Sequence, residues 1–210
     1  MSRRGRGRRG SSGVADKWKL KQWFTIVSPP YLEEKQVGTT PAIEPENVIG
    51  RTVRIGLMDL TGNIQDMNAI IKLRVVRIDG NIARTEFYGY ELSRDFVRAQ
   101  VRNHRSRVDT IQDLKFSDGA VVRLRIFCVT PTRANTSQED AIRKLMAARI
   151  QEMAKEWTFE AFVLAVINGE IRRELRTEVK KIYPVKILDV EKVKVLKLPE
   201  KVVETISIEE

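Results

Sequence analysis

The sequence predicts an α+β fold: a mostly antiparallel β body, attached helices, and a strand that returns near the C-terminal end. Three observations carry this expectation. Apolar residues recur with period two between about residues 20 and 130, around two Asp-Gly pairs. After Pro131 the period becomes 3.6. Alternation then comes back in VKILDVEKVKVLKL. Period two puts alternate side chains on one face of a sheet, whereas 3.6 builds a stripe along a helix.

The elements follow in order. KLKQWFTIVSPP reads as a short extended segment closed by Pro29 and Pro30. Residues 31–50 hold Pro41, Pro45 and two glycines and read as a loop wrapped on the body. TVRIGLMDL alternates at Val53, Ile55 and Leu57 and reads as a strand. AIIKLRVVRI and IARTEFYGYEL flank Asp79-Gly80, a hairpin signal because both residue types tolerate the positive φ of a tight turn. Asp118-Gly119 marks a second hairpin between VDTIQDLKF and AVVRLRIFCV. Ile71, Leu73 and Val75 alternate with Lys72, Arg74 and Val76, and Leu124 and Ile126 with Arg123, Arg125 and Phe127, so one sheet face is apolar and the other can carry Arg.

Between the hairpins, LSRDFVRAQVRNHRSRV reads as a helix capped by Ser93. Its apolar stripe would be Val97, Val101, His104 and Val108, beside an arginine stripe of Arg94, Arg98, Arg102 and Arg105. Past Pro131, Ser137 and Asp140 resemble a capping pair for a helix whose apolar face is Ile142, Leu145, Met146, Ile150, Met153 and Trp157. A second helix runs from about Thr158 to Asn168-Gly169. A third places Ile171, Leu175, Val179 and Ile182 on one side, with Arg172, Arg173, Arg176 and Lys180 away from it, and Pro184 ends it. The chain thus divides into an Arg/Gly-rich tail expected to be disordered (1–16), a β body with one internal helix (17–133), an α-rich part with a terminal strand (134–198) and a flexible acidic tail (199–210).

Charge is the strongest functional signal. The formal net charge is +10, and the first 21 residues carry +7 of it. Arg offers a planar fork of donors suited to phosphate oxygens, and Gly lets the backbone follow an irregular anionic surface. Residues 94–107 carry +4 and residues 171–197 carry +5, while the body between is near neutral. A nearly neutral body with basic patches fits placement on a folded RNA better than indiscriminate polyanion binding. The candidate RNA contacts are Arg3, Arg4, Arg6, Arg8, Arg9, Lys17, Lys19 and Lys21, the arginine stripe, and Arg172, Arg173, Arg176 and Lys180.

Catalytic signals are lacking. No glycine-rich phosphate loop is present. Asp59, Asp66, Asp109 and Asp113 are scattered, and none stands out as half of an acid–base pair. His104 is the single histidine and reads as structural or RNA-contacting, not as a metal ligand. Cys128, the single cysteine, lies in the apolar run RIFCVT and reads as a small buried hydrophobe in a protein of a reducing compartment. No run approaches 18 apolar residues, so no membrane span or membrane partner is expected. Phe87, Tyr88 and Tyr90 could form a base-stacking platform, but EFYGYEL lacks the full RNP1 pattern, and a packed strand with close backbone approach at Gly89 explains them as well. Trp18 and Trp23 read as pins between tail and body. No catalytic residue, cofactor or metal is expected.

Five segments, in order, carry a family resemblance: WKLKQWFTIVSPP, IGRTVRIGLMDLTG, ARTEFYGYELSRDFVRAQVRNHRSRVD, LRIFCVTPTRANTSQ and IRRELRTEVKKIYPVKILDVEKVKVLKLP. Over about residues 17–199 the chain resembles the archaeal and eukaryotic small-subunit ribosomal protein family historically called three-A-e. The resemblance implies a central, mostly antiparallel β-barrel with attached helices. It implies a structural constituent of the 30S subunit in the cytoplasm, on the platform near the mRNA exit. The implied partners are small-subunit rRNA, neighbouring ribosomal proteins and mRNA near the exit, with no catalysis or cofactor. Lys19, Trp23, Arg51, Phe87, Gly89, Leu92, Arg94, Asp95, Tyr183 and Pro184 match family motifs; among them Lys19, Arg51 and Arg94 are implied rRNA contacts. The Gly/Arg tail departs from the more Lys-rich leaders of eukaryotic members. The alternative function is a non-catalytic RNA-binding translation factor or RNA chaperone, which would bind and leave.

Overall fold

Both Asp-Gly pairs make the turns expected of them. Gly80 has φ 60° and Gly119 φ 74°, the left-handed region that costs glycine little. In this computed structural model, which describes residues 18–199, the first turn joins β4 (Ala69–Asp79) to β5 (Ile82–Leu92), and the second joins β6 (Arg107–Lys115) to β7 (Val121–Val129). Earlier in the chain come β1 (Gln22–Val27), β2 (Gln36–Ala42), β3 (Thr52–Gly56) and α1 (Leu57–Thr61). Between the hairpins lies α2 (Arg94–Gln100), and after them α3 (Thr136–Glu156), α4 (Phe159–Asn168), α5 (Glu170–Val179) and β8 (Ile187–Lys197).

The strands form one eight-stranded sheet in the order β2-β1-β5-β8-β7-β6, with β4 on the other edge of β5 and β3 beyond β4. β1 meets β5 in parallel and every other pairing is antiparallel. The barrel implied by the family resemblance is not present. No pairing among the described residues joins the outer strands β2, β3 and β6, so the sheet is open and mixed. The reason lies in β5. One of its edges pairs with β4, while the other takes β1 at Ile82–Arg84 and β8 at Gly89–Glu91. A sheet that forks in this way does not run round to its first strand. It buries its apolar face under helices instead.

That face alternates as the sequence requires. Ile71, Leu73 and Val75 are buried, as are Leu124 and Ile126. Against it pack Ile142, Met146 and Ile150 of α3, Phe159 and Phe162 of α4, and Ile171, Leu175 and Val179 of α5. Phe159 meets Phe87 edge-on with centroids 6.3 Å apart, and Phe116 meets Phe162 at 4.9 Å. A smaller core of Phe24, Ile26, Ala42, Val48, Val75 and Ala83 lies under β1 and β2. Phe127 departs from simple alternation: it is fully buried beside Ile126, where the β7–β8 register shifts between Arg125 and Ile126.

Four local expectations are corrected. Residues 31–50 are not all loop, because β2 pairs along β1 despite Gly38 and Pro41. The strand begun at Thr52 stops at Gly56, and Leu57 opens α1. The cap of α3 is Asn135, which forms a reciprocal capping box with Gln138, in place of Ser137 and Asp140. The helix expected over residues 92–108 ends at Gln100. Val101 is extended, and His104 has φ 63°. Continuing the helix to residue 108 would stack like charges at i, i+4 and would sacrifice the first two pairs, Arg107 with Val129 and Val108 with Cys128, of the β6–β7 ladder.

Candidate nucleic-acid interface

The shortening of α2 breaks the arginine stripe. Arg94 and Arg98 stay on the helix, whereas Arg102 and Arg105 fall in the loop before β6. That loop is held firmly. The Ser106 amide donates to Thr130 Oγ1 at 3.0 Å, Thr130 N–H returns to the Ser106 carbonyl at 3.0 Å, and Ala134 N–H donates to Ser106 Oγ at 3.1 Å. Tyr183 ties in the segment before β8: its hydroxyl donates to the Arg133 carbonyl at 3.3 Å and lies 2.8 Å from Thr132 Oγ1. Three loops from distant parts of the chain are thereby joined at one end of the sheet.

Cations converge there. The Lys186 ammonium is held below the usual lysine range by loss of solvation and by the positive charges of Arg105 and Arg102. Arg176 of α5 donates to the Lys186 carbonyl at 3.4 Å, and Arg105 donates to the Gln100 carbonyl at 3.3 Å. The 94–107 and 171–197 basic segments thus supply one joint cluster: Arg102, Arg105, Arg176 and Lys186. Like charges that act on one another favour an anionic partner, and polyphosphate is the one that Arg forks fit best. Lys186 was not among the sequence candidates. Its signal was its place in the 171–197 basic segment, directly after the Tyr183-Pro184 turn.

The other candidates are dispersed. Arg172 faces the buried Asp189 at 3.7 Å, and Arg173 donates to the Asn168 carbonyl at 3.1 Å. Burial raises the Asp189 carboxyl above its usual range, partly offset by the Val190 amide and Arg172. Lys180 is exposed at the end of α5. Arg51 donates to the carbonyls of Asn47 and Pro41 and to Thr40 Oγ1. Lys21 sits over the Trp18 ring at 4.0 Å, and Lys19 is exposed beside them. Arg3, Arg4, Arg6, Arg8, Arg9 and Lys17 lie outside the described residues, as does nearly all of the acidic 199–210 segment.

The solvent face of the sheet carries cations from every second position, and many are neutralised. Arg107 pairs with Asp109 and Glu191, Arg125 with Glu191 at 3.3 Å, and Arg123 with both Asp113 oxygens at 2.7 and 2.8 Å. Arg54, Lys72, Arg74, Lys192 and Lys194 extend the face across β3, β4 and β8. Period two had marked this face, but not which cations would keep their charge.

The aromatic platform is ruled out for two of its three residues: Phe87 is 0% exposed and Tyr90 4%. Tyr88 lies beneath Arg74 at 5.6 Å. Trp18 and Trp23 are 59% and 58% exposed, so neither is a buried pin. Cys128 is fully buried, and burial pushes its thiol up to about 12. His104 is exposed in the loop. Among the described residues no cluster of three or more His, Cys, Asp or Glu suited to a metal occurs, and no helix is long and apolar enough to cross a membrane.

A family model described as the Ribosomal S3Ae family matches residues 9–199. The chain belongs to the Ribosomal S3Ae family. It is 39% identical over 188 residues to small ribosomal subunit protein eS1 of Sulfurisphaera tokodaii, covering 90% of this chain and 97% of that protein. It is 39% identical over 186 residues to the eS1 protein of Desulfurococcus amylolyticus, covering 89% and 87%. The eS1 protein of Saccharolobus islandicus is 38% identical over 187 residues, covering 89% and 90%. The matched span reaches across all eight strands and all five helices, so the S3Ae family residues build the whole described fold, including the loops that gather Arg102, Arg105, Arg176 and Lys186.

Proposed function

We infer that this S3Ae-family chain is a non-catalytic structural constituent of the small ribosomal subunit, at work in translation in the cytoplasm and bound to small-subunit rRNA. The observation that carries this reading is the match over residues 9–199, with relatives whose names place them in that subunit. The joint cluster of Arg102, Arg105, Arg176 and Lys186 supports a phosphate-directed mode of binding. In this reading Arg94, Arg98 and Lys180 add phosphate contacts, and the Arg/Gly-rich segment at 1–16 supplies further RNA contacts. The finer placement is on the platform near the mRNA exit, against neighbouring ribosomal proteins and within reach of mRNA.

Sedimentation of a cell lysate tests the assignment. A constituent travels in one-to-one ratio with the small subunit and stays there in high salt. A translation factor or RNA chaperone is released by salt and appears at the top of the gradient, and that result overturns the reading.

A further inference from the structure

Away from the loop cluster, a groove of about 480 Å³ opens on the solvent face of the sheet. It is lined by Arg54 of β3, Lys72 of β4, Glu91 and Ser93 at the end of β5, Arg94 of α2 and Lys192 of β8. Strand register brings these residues together: Arg54 opposes Lys72 across β3–β4, and Glu91 opposes Lys192 across β5–β8. Four cations surround one carboxylate.

That carboxylate is fully used. Glu91 Oε2 accepts from the Lys72 ammonium, and Oε1 lies 3.8 Å from the Lys192 ammonium. The Lys72 hydrogen bond, followed by the charges of Lys72, Lys192 and Arg54, holds the carboxyl below its usual range in spite of some burial, so it stays ionised. Arg54 and Arg94 are exposed, and neither makes a close ion pair among the described residues, Arg54 acting on Glu91 at longer range. The Ser93 side chain makes no capping bond, which leaves its hydroxyl available to a ligand. The groove therefore holds three positive charges in excess of its carboxylate, with Glu91 spacing two of the cations.

We propose that this groove is a second RNA contact, seating a backbone phosphate between Arg54, Arg94 and Lys192. The proposal rests on the RNA-binding reading above and deepens it. Two exposed guanidinium forks and an ammonium can satisfy the non-bridging oxygens of a phosphodiester, which remains singly charged across the working pH range. Ser93 supplies a neutral donor at the rim. Glu91 would repel the phosphate if it were free. Paired on both oxygens, it repels more weakly and also fixes the lysines.

The test uses the full chain and small-subunit rRNA in salt-dependent binding. Arg54→Gln combined with Lys192→Gln changes two exposed positions and leaves the core untouched. The expected result is about tenfold weaker binding at moderate salt and a log–log salt slope shallower by roughly 0.7–0.9 for one lost phosphate contact. Glu91→Gln should act in the opposite direction and tighten binding several-fold, a sign that a purely structural network would not produce. In the complex, Lys192 should also be protected from amine acylation. Wild-type affinity and slope in the double variant, together with a Lys192 that stays reactive in the wild-type complex, overturn the proposal. Failure of the wild-type chain to bind the rRNA at all would instead sink the function reading itself.

Discussion

A Cβ built on Gly89 would lie 2.8 Å from the carbonyl oxygen of Val193. Gly89 begins the short ladder of three pairs by which β5 meets β8, and β8 in turn carries β7 and β6. The contact is with backbone on a paired strand, so it cannot move aside cheaply. Gly89→Ala should therefore cost about 1–3 kcal/mol, the range for overpacking. The urea midpoint reads this directly. An unchanged midpoint would mean that β5 and β8 can separate by a few tenths of an ångström at no cost.

The fork in β5 leaves a gap that Tyr31 fills. Between the β1 and β8 pairings, the Phe87 amide donates to the Tyr31 hydroxyl at 3.3 Å, and that hydroxyl donates to Glu86 Oε2 at 3.0 Å. Tyr31→Phe strands the buried Phe87 amide and a carboxylate, and should cost about 1–3 kcal/mol. Burial raises both groups, the phenol mainly by desolvation and the Glu86 carboxyl likewise. A carboxyl raised in the folded state binds its proton more tightly there than in the unfolded chain. Its contribution is full below the ordinary glutamate range and is lost as pH rises through the folded value. Glu86→Gln keeps an acceptor for Tyr31 and removes that loss. Urea midpoints taken from acid to neutral pH should fall less steeply with pH in Glu86→Gln than in the wild type.

Much of this architecture could be read from local pattern. Asp79-Gly80 and Asp118-Gly119 mark real hairpins because turn chemistry is decided within four residues. Thr158 and Gly169 bound α4 where expected, since caps are equally local. What failed was decided at a distance. β2 carries Gly38 and Pro41, poor strand residues, and is a strand because β1 offers it a ladder. Residues 101–108 have a helical spacing that loses to the pairing of Arg107 with Val129 and its successors. Barrel closure depends on whether β2, β3 and β6 meet, and no residue in any of them encodes that alone. At the site, charge runs marked the right segments. Only the fold could show that Arg102 and Arg105 lie beside Lys186.

That proximity makes Lys186 a reporter. Its ammonium is disfavoured in the free protein, by reduced solvation first and by Arg105 and Arg102 next. The folded state holds this proton less tightly than the unfolded chain does, so the group favours the fold more as pH rises toward the ordinary lysine range. Adding rRNA should reverse the field and raise the Lys186 pKa. Amine acylation followed by peptide mapping should show Lys186 reacting faster than the other exposed lysines in the free protein and more slowly in the complex. Arg102→Gln should slow its reaction in the free protein. Equal reactivity in all three samples would remove Arg102 from the cluster.

Cys128 should be chemically silent while the chain is folded. Burial pushes the thiol up to about 12, and the nucleophile is the thiolate. Iodoacetamide should label it only after denaturation. Cys128→Ser places a hydroxyl among apolar neighbours and should cost about 1–3 kcal/mol in the urea midpoint. Labelling of the native protein at the rate of a free thiol would show that β7 opens locally.

Arg51 separates a family-motif reading from a geometric one. Its Nε donates to the Asn47 carbonyl at 2.7 Å, and its Nη1 to Thr40 Oγ1 at 2.7 Å and the Pro41 carbonyl at 3.0 Å. These bonds fasten the end of β2 to the turn before β3, while the Arg51 carbonyl accepts from Val75 N–H at 2.9 Å. Such a fork spends its directed donors inside the protein. Arg51→Lys keeps the charge but loses the planar geometry, and Arg51→Gln loses both. If Arg51 serves the fold, both variants lower the melting midpoint similarly and leave the salt slope of rRNA binding unchanged. If it also meets a phosphate, Arg51→Lys keeps the slope while Arg51→Gln makes it shallower by roughly 0.7–0.9. The three bonds already made favour the first outcome, with about 1–3 kcal/mol lost in each variant for charge-assisted hydrogen bonds left unpaired.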